Sequence, residues 1–428
     1  MSLFHWAERP TSALQGGGVI TPDERLPWPQ TAAMGVQHVI AMFGATVLAP
    51  ILMGFDPNLA IFMSGIGTLI FYFATGGKVP SYLGSSFGFI GVVIAATAYA
   101  GKGPNANIAV ALGGIIACGA LYTVIGLLVQ TVGTGWIEKL MPPVVTGAVV
   151  AVIGLNLASV PIKNMASSNF DSWMQLVTFV CVALVAVFTR GMVQRLLILV
   201  GLALATLIYL VLTNGMGLGK PMDFSGIVAA PWVGLPNFTA PVFEANAILL
   251  IAPVALILVA ENLGHIKAVA AMTGKNLDAS IGRAFIGDGV ATMVSGSVGG
   301  TGVTTYAENI GVMAATRIYS TAVFLMAAGI ALLLGFSPKF GALIQAIPLP
   351  VMGGVSIVVF GLITLAGAKI WVDNRVDFSD PANLLTAAIV LILGTGEFTL
   401  KFGSFALGGI GTATFGAVLL YAILRRGR

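Results

Sequence analysis

Residues 297–317 read SVGGTGVTTYAENIGVMAATR, and the two halves of this stretch ask for different backbones. Gly299, Gly300 and Gly302, followed by β-branched Val303, Thr304 and Thr305, favour extended chain. A helix is then expected from about Ala307, with an acid, Glu308, in its first turn, where the positive end of the helix dipole favours a carboxylate. The combination describes a span that is broken in the middle. Non-helical backbone at membrane depth persists only where protein or a water-lined cavity satisfies its polar groups, so this stretch is expected to line a site.

The composition supports a membrane setting for that break. Of 428 residues, 57% are hydrophobic and 8% charged, against about 25% charged in a typical soluble domain. Such a chain is an integral membrane protein, and a soluble enzyme or a nucleic-acid-binding protein is excluded; the net charge of +4 is read as a matter of topology. Cys118 and Cys181 sit inside apolar runs, which gives no disulfide framework and no metal cluster and leaves them as packing residues. Residues 1–30 are polar and punctuated by proline, without the apolar core and small-residue cleavage site of a secretory signal. They are expected to form a cytoplasmic N-terminal segment, with the first span acting as the insertion signal.

Apolar runs recur along the chain at roughly 31–53, 59–76, 80–100, 107–130, 142–162, 173–189 and 193–213. A Gly- and Pro-rich connection, 214–246, follows, with Trp232 and Phe238 suited to a membrane interface. Seven more runs occupy roughly 247–271, 283–298, 300–315, 318–336, 341–366, 380–396 and 403–424. The expected fold is therefore an all-α polytopic membrane protein of fourteen segments, with short extended strands in segments 3 and 10. With both termini cytoplasmic, only Lys102, Lys163, Lys220, Lys339 and Lys401 fall on the outer side, leaving fifteen of the twenty Lys and Arg residues inside, as the positive-inside rule requires.

Seven spans per half force the second half, 247–428, to enter the membrane upside down relative to the first, 31–213. A trace of this inverted repeat survives: between 143–155 and 350–362, six of thirteen positions are identical, including Pro143 with Pro350, Gly147 with Gly354 and Gly154 with Gly361. The first-half counterpart of the broken span is Gly84 to Ile94, GSSFGFIGVVI. Two broken spans are expected to meet at the bilayer midplane.

Ionisable residues concentrate in span 8, AENLGHIKA, where Glu261 and His265 lie four apart on one helical face. An acid at mid-bilayer costs about 2.5–3.5 kcal/mol, so it is expected to face the bundle interior and to be paired, protonated or engaged with a ligand. Glu261 and Glu308 incur that cost twice. The structural alternative is a Glu261–His265 pair that only locks packing and a Glu308 that only caps a helix. Gln37 and His38 in span 1 read either as a polar contact between helices or as residues beside the site. Asp288, between Gly287 and Gly289, reads as an acid at a close helix crossing, bonding a neighbouring backbone and supporting the site. Arg317 and Lys267 are explained by snorkelling.

Several stretches together carry a family resemblance: QHVIAMFGATVLAP at Gln37, GIGTLIF at Gly65, PSYLGSSFGFI at Pro80, AENLGH at Ala260, TTYAENIGVMAATRIYS at Thr304 and IPLPVMGG at Ile347. The run from Glu308 to Arg317, ENIGVMAATR, resembles the signature of the nucleobase/ascorbate transporter family. Within that family the chain is most similar to bacterial uracil permeases, in particular to a branch linked to pyrimidine degradation. The resemblance implies a core domain of spans 1–4 and 8–11, a gate domain of spans 5–7 and 12–14, proton symport across the inner membrane without a cofactor, and homodimers. It also implies that Glu261 and Glu308 bind substrate, that His265 couples protons together with Glu261, and that Phe87, Ala307 and Tyr306 line the site, supported by Asn309, His38, Gln37 and Asp288. Phe360 stands where many uracil permeases have tyrosine, Asp288 resembles purine-transporting members, and Ala307 replaces a glycine found in some uracil permeases.

Uracil, small, planar and neutral, carries two N–H donors and two carbonyl acceptors, so a matching site sets carboxylate acceptors beside backbone or carboxyl donors. A xanthine or uric acid permease of the same family is the next reading. An anion exchanger on a related fold fits two acids poorly, and an intramembrane enzyme lacks any metal-ligand spacing or activated nucleophile.

Overall fold

Helix starts are written into the chain by proline, whose fixed φ suits the first helical turn and whose missing N–H costs nothing there. Pro29, Pro57, Pro143, Pro338, Pro350 and Pro381 all occupy first-turn positions. Asp56 and Asp380 add side-chain caps, accepting from the Asn58 and Ala382 amides. Gly54, at φ 72°, and Gly76, at φ 65°, stop the first two helices in the left-handed conformation.

The computed structural model describes residues 4–99, 103–402 and 405–426. Spans 1 and 2 are Trp28–Met53 and Pro57–Thr75. Span 3 is a strand, Leu83–Ser85, then a short 3-10 turn, Phe87–Phe89, and a helix, Ile90–Thr97. Span 4 is Ile108–Val132; span 5 runs Pro143–Leu157 into Ser159–Asn164; spans 6 and 7 are Asn169–Phe188 and Leu197–Leu210. Span 8 comprises Ala245–Ile251 and Val254–Thr273, and span 9 is Asp278–Val298. Span 10 repeats the design of span 3, with strand Val303–Thr305 and helix Ala307–Thr316. Spans 11 to 14 are Thr321–Gly335, Leu349–Asp373, Pro381–Thr395 and Gly409–Arg426.

By length and apolarity alone, eight helices among the described residues can cross a membrane. The others fall short for local reasons. Spans 3 and 10 are half-helical, and span 9 carries Asp278, Arg283 and Asp288. Some expected boundaries are corrected. The run expected at 341–366 is two elements: Pro338–Gln345 turns 82° away from span 11, and span 12 begins only at Leu349. The last span does not begin at 403 but at Gly409, after a hairpin pairing Leu400–Phe402 with Phe405–Leu407; residues 403–404 lie outside the described residues. Span 3 stays helical only to Thr97, and Ala100, the end of its expected run, also lies outside them. The connection after span 7 contains a π-helical turn, Val211–Gly215, and a short helix, Ser225–Ala229.

Packing is symmetric under exchange of span n with span n+7. Span 4 lies along span 9 as span 11 lies along span 2; span 12 packs on span 6 as span 5 packs on span 13; spans 6 and 7 pair as do spans 13 and 14. This is the signature of two inverted repeats in three dimensions. Small residues set the closest approaches, as is usual where lipid supplies no hydrophobic drive between helices. A Cβ on Gly119 of span 4 would stand 2.6 Å from the Gly289 carbonyl oxygen of span 9, and one on Gly154 of span 5 would stand 2.2 Å from that of Phe360 in span 12.

The N-terminal segment is tied to the bundle. Ile20 bridges to Ile318 and packs with Leu26 and Val323, while the Trp6 indole donates to Thr321 at 2.9 Å. Asp23 is bonded to Lys275, whose ammonium holds the Asp23 carboxyl below its ordinary range.

Candidate functional site

The two broken spans meet in an antiparallel ladder of three residues each: Leu83 with Thr305, Gly84 with Thr304 and Ser85 with Val303. Ser86 N–H donates to Gly302 O (2.9 Å) and Tyr306 N–H to Tyr82 O (3.1 Å), extending it at both ends. A two-stranded ladder leaves outward-facing backbone groups that cannot remain unsatisfied inside a membrane. Threonines of spans 2 and 9 meet that need at equivalent positions: Thr68 Oγ1 accepts from Leu83 N–H (3.0 Å) and Thr292 Oγ1 from Val303 N–H (3.2 Å).

Gly84 makes the crossing possible. A Cβ there would lie 2.5 Å from the Tyr306 ring and 2.6 Å from Thr46 Oγ1. The Tyr306 ring instead lies over the strand, its hydroxyl donating to Ser85 O (2.9 Å) and accepting from Thr46 (3.1 Å). Tyr306 is thus a buried brace of the ladder, which corrects its expected place among the residues facing a ligand.

Both half-helices leave the ladder with their positive ends at its level. The N–H groups of Phe87 and Ala307 find no acceptor among the described residues, and Ala307 is exposed while Phe87 is half-buried. Span 8 packs against the strand and half-helix of span 10 and against the turn at Phe87. This brings Glu261 to the same region as Glu308, near enough for the Glu308 charge to act on the Glu261 carboxyl. Neither is hydrogen-bonded to another described residue, and neither appears among the sealed, unpartnered polar atoms of the interior. Both are half-buried acceptors without a partner among the other described residues. The Phe87 ring meets Phe360 of span 12 edge to face, centroids 6.3 Å apart, so spans 3 and 12 touch beside these acceptors.

His265 does not bond Glu261, so the alternative of a pair that only locks packing does not hold. Its Nδ1 lies 2.8 Å from Thr305 Oγ1, and that hydroxyl donates to Asn262 Oδ1 at 3.4 Å. Asn262 Nδ2 donates to Asp288 (2.6 Å) and to the Tyr122 hydroxyl (2.9 Å). A hydroxyl has one proton to give, so Thr305 receives its other bond from a protonated His265 Nδ1, and Nε2 of a neutral ring is left free to accept. Asp288 does sit at a close crossing, where the side chains of Asn262 and Tyr122 donate to its carboxylate.

A second set of bonds holds Asn309, the residue after Glu308. Asn309 Nδ2 donates to His38 Nδ1 (2.9 Å) and His38 O (3.0 Å), binding the half-helix of span 10 to span 1. The His38 ring packs on Phe324 at 4.7 Å, and Gln37 is buried beside it. Asn262, Tyr122, Thr305, Thr46 and Thr292 were not singled out from the sequence. Asn262 offered a signal, an amide directly after Glu261 in an apolar run; Tyr122 offered none, since a tyrosine in such a run reads as core.

A fold of fourteen segments in two inverted repeats, with crossed half-helices at its centre, is that of a secondary transporter. Residues 29–402 match the family model Xan_ur_permease, described as Permease family, and the chain belongs to this family, that of the nucleobase/ascorbate transporters. It is a multi-pass bacterial membrane protein. Over 429 aligned residues it is 67% identical to RutG of Escherichia coli (strain K12), named as a candidate pyrimidine permease, covering 100% of this chain and 97% of the relative. It is 42% identical to a uracil permease of Paenibacillus larvae, with 94% of this chain and 96% of the relative covered. It is 39% identical to the uracil permease of Escherichia coli (strain K12), covering 94% and 93%. Among solved structures, the transmembrane domain of the cyanobacterial bicarbonate transporter BicA shares the fold at a TM-score of 0.65 and 16% identity, covering 92% of this chain and 96% of that one. SLC26A9 shares it at 0.70 and 13%, covering 93% and 65%.

Proposed function

We propose that this protein carries a pyrimidine nucleobase, uracil and thymine being the candidates, across the bacterial inner membrane together with a proton, by alternating access. The observation that carries this reading is the combination of two half-buried, unpartnered carboxylate acceptors, Glu261 and Glu308, with two backbone donors, at Phe87 and Ala307, that find no acceptor among the described residues. That set matches the rim of a pyrimidine dione, which needs acceptors for its N–H groups and donors for its carbonyls. The names of the relatives support the substrate class. The site residues need no metal or organic cofactor, and the protein acts as a transporter rather than an enzyme. Spans 1–4 and 8–11 would move as a core against a gate of spans 5–7 and 12–14, with the Phe87–Phe360 contact on the boundary between them. Both termini are cytoplasmic in this reading, supported by the Lys and Arg asymmetry, and the chain works in the bilayer as a homodimer.

Uptake of labelled uracil into proteoliposomes with an acidic exterior is the direct test. One proton crossing with the base is worth about 2.3 kcal/mol per 100 mV, or roughly fifty-fold accumulation. An uncoupler is expected to collapse the gradient of uracil, and excess xanthine to leave uptake unchanged. Uptake indifferent to the uncoupler would remove the proton from the mechanism, and strong competition by xanthine would move the substrate to the purines.

Coupling is assigned to His265 and Glu261, one helical turn apart, with the Thr305 bond holding the imidazole in place. His265→Leu is expected to reduce proton-driven accumulation at least tenfold while changing equilibrium uracil binding by less than about threefold, since the ring is not needed to complete the donor and acceptor set. Calorimetry and uptake at several pH values on the same variant check this. Binding that falls in step with uptake, with the parent's pH profile kept, would make His265 a substrate contact instead.

A further inference from the structure

We infer that the protein holds the phosphate of an anionic phospholipid in a cavity between the short helix Gly135–Leu140 and the C-terminal end of span 14. The cavity, about 420 Å³, has neither Glu261 nor Glu308 in its lining. One wall is helix Gly135–Leu140, which links spans 4 and 5 and supplies Glu138, Lys139 and Leu140. The other is the face of span 14 formed by Val418, Tyr421, Ala422 and Arg425, spaced 3, 4 and 7 apart as one helical side requires.

Its charge balance favours an anion. Glu138 is already paired with Lys267 at 2.5 Å, so its negative charge is matched. Lys139 and Arg425 form no salt bridge among the described residues and both are exposed. The Arg425 guanidinium sits 5.5 Å from the Tyr421 ring centroid, which orients it at the cavity. Two uncompensated cations at the end of a membrane span attract an anionic headgroup and hold a phosphate through charge-assisted hydrogen bonds.

A lipid, rather than a free anion, is favoured by the surface that continues from the cavity. Leu140 is 38% exposed, and Leu419 and Ile423, next to the lining residues of span 14, are 61% and 67% exposed. These side chains form an apolar track for acyl chains beside the two cations. The inference needs only that the chain spans a bilayer, and it stands or falls independently of the transported substrate.

Native mass spectrometry of the full-length, delipidated protein in detergent tests it, with phosphatidylglycerol and phosphatidylcholine of identical chains as probes. Phosphatidylglycerol is expected to be retained roughly tenfold better, and the double substitution Lys139→Gln with Arg425→Gln to bring it down to the phosphatidylcholine level. Lys139→Arg with Arg425→Lys should keep the preference. Melting temperatures measured alongside should rise with phosphatidylglycerol and stay unchanged with the same concentration of inorganic phosphate. Equal retention of the two lipids by the parent protein, an undiminished preference in the glutamine variant, or equal stabilisation by inorganic phosphate would each overturn the site.

Discussion

Glu308→Gln should abolish nucleobase uptake and weaken uracil binding by roughly ten- to hundredfold while the protein still folds and reaches the membrane. A hydrogen bond to a charged acceptor is worth about 1.5–3 kcal/mol, and in a site closed from bulk water the substrate N–H has no alternative partner. The substitution is structurally mild because the Glu308 side chain is bonded to no other described residue, whereas its neighbour Asn309 does the work of anchoring the half-helix to His38. Calorimetry in detergent reads the effect directly. An unchanged affinity would remove Glu308 from the site and leave it as a residue that favours the start of a helix. The outcome also bears on substrate choice, since a glutamine amide offers one acceptor and one donor group where the carboxylate offers only acceptors.

Gly84→Val is expected to be as damaging for a different reason. The added Cβ would stand at 2.5 Å from the Tyr306 ring and 2.6 Å from Thr46 Oγ1, with no room for either to retreat inside a packed bundle. Displacing Tyr306 breaks its bonds to Ser85 and Thr46 and pries apart the ladder on which both half-helices stand. The loss should amount to about 3 kcal/mol or more, from overpacking of about 1–3 kcal/mol with about 1 kcal/mol for each broken bond. The readout is the melting temperature and the monodisperse yield in detergent, together with uptake. Gly361→Ala in span 12 provides the comparison, because no atom lies within 4 Å of the position of its Cβ, and it should behave as the parent. A Gly84→Val protein with parental stability and uptake would show that the crossed strands do not position the site.

The sequence exposed the broken spans because their chemistry is local. A Gly–Thr run cannot be a helix interior, an acid in a first turn can, and both statements depend on a few neighbouring residues. The acids Glu261 and Glu308 were visible for a related reason: in a chain with 8% charged residues, a carboxylate within an apolar run stands out against its insertion cost. The boundaries were less visible where an apolar run continues across a bend. Nothing in the composition of 341–366 separates Pro338–Gln345 from span 12, and the 82° turn is fixed by packing.

The amino-acid order alone determined that the chain spans a membrane many times, that it repeats in inverted sense, and where its two interruptions and two central acids lie, because periodicity, backbone preference and the cost of charge in lipid are properties of short segments. Which polar groups serve one another was decided only in three dimensions. His265 and Glu261 lie one turn apart and look like a pair, yet His265 is bound by Thr305, forty residues away, and Asp288 is bonded to Asn262 and Tyr122 on two other spans. Tyr306, adjacent in sequence to the residues of the site, turns away to brace the ladder against Thr46 in span 1. In a bilayer a buried polar side chain takes whatever partner the packing of helices brings within reach, and helices that pack together here are separated by as many as three hundred residues of chain.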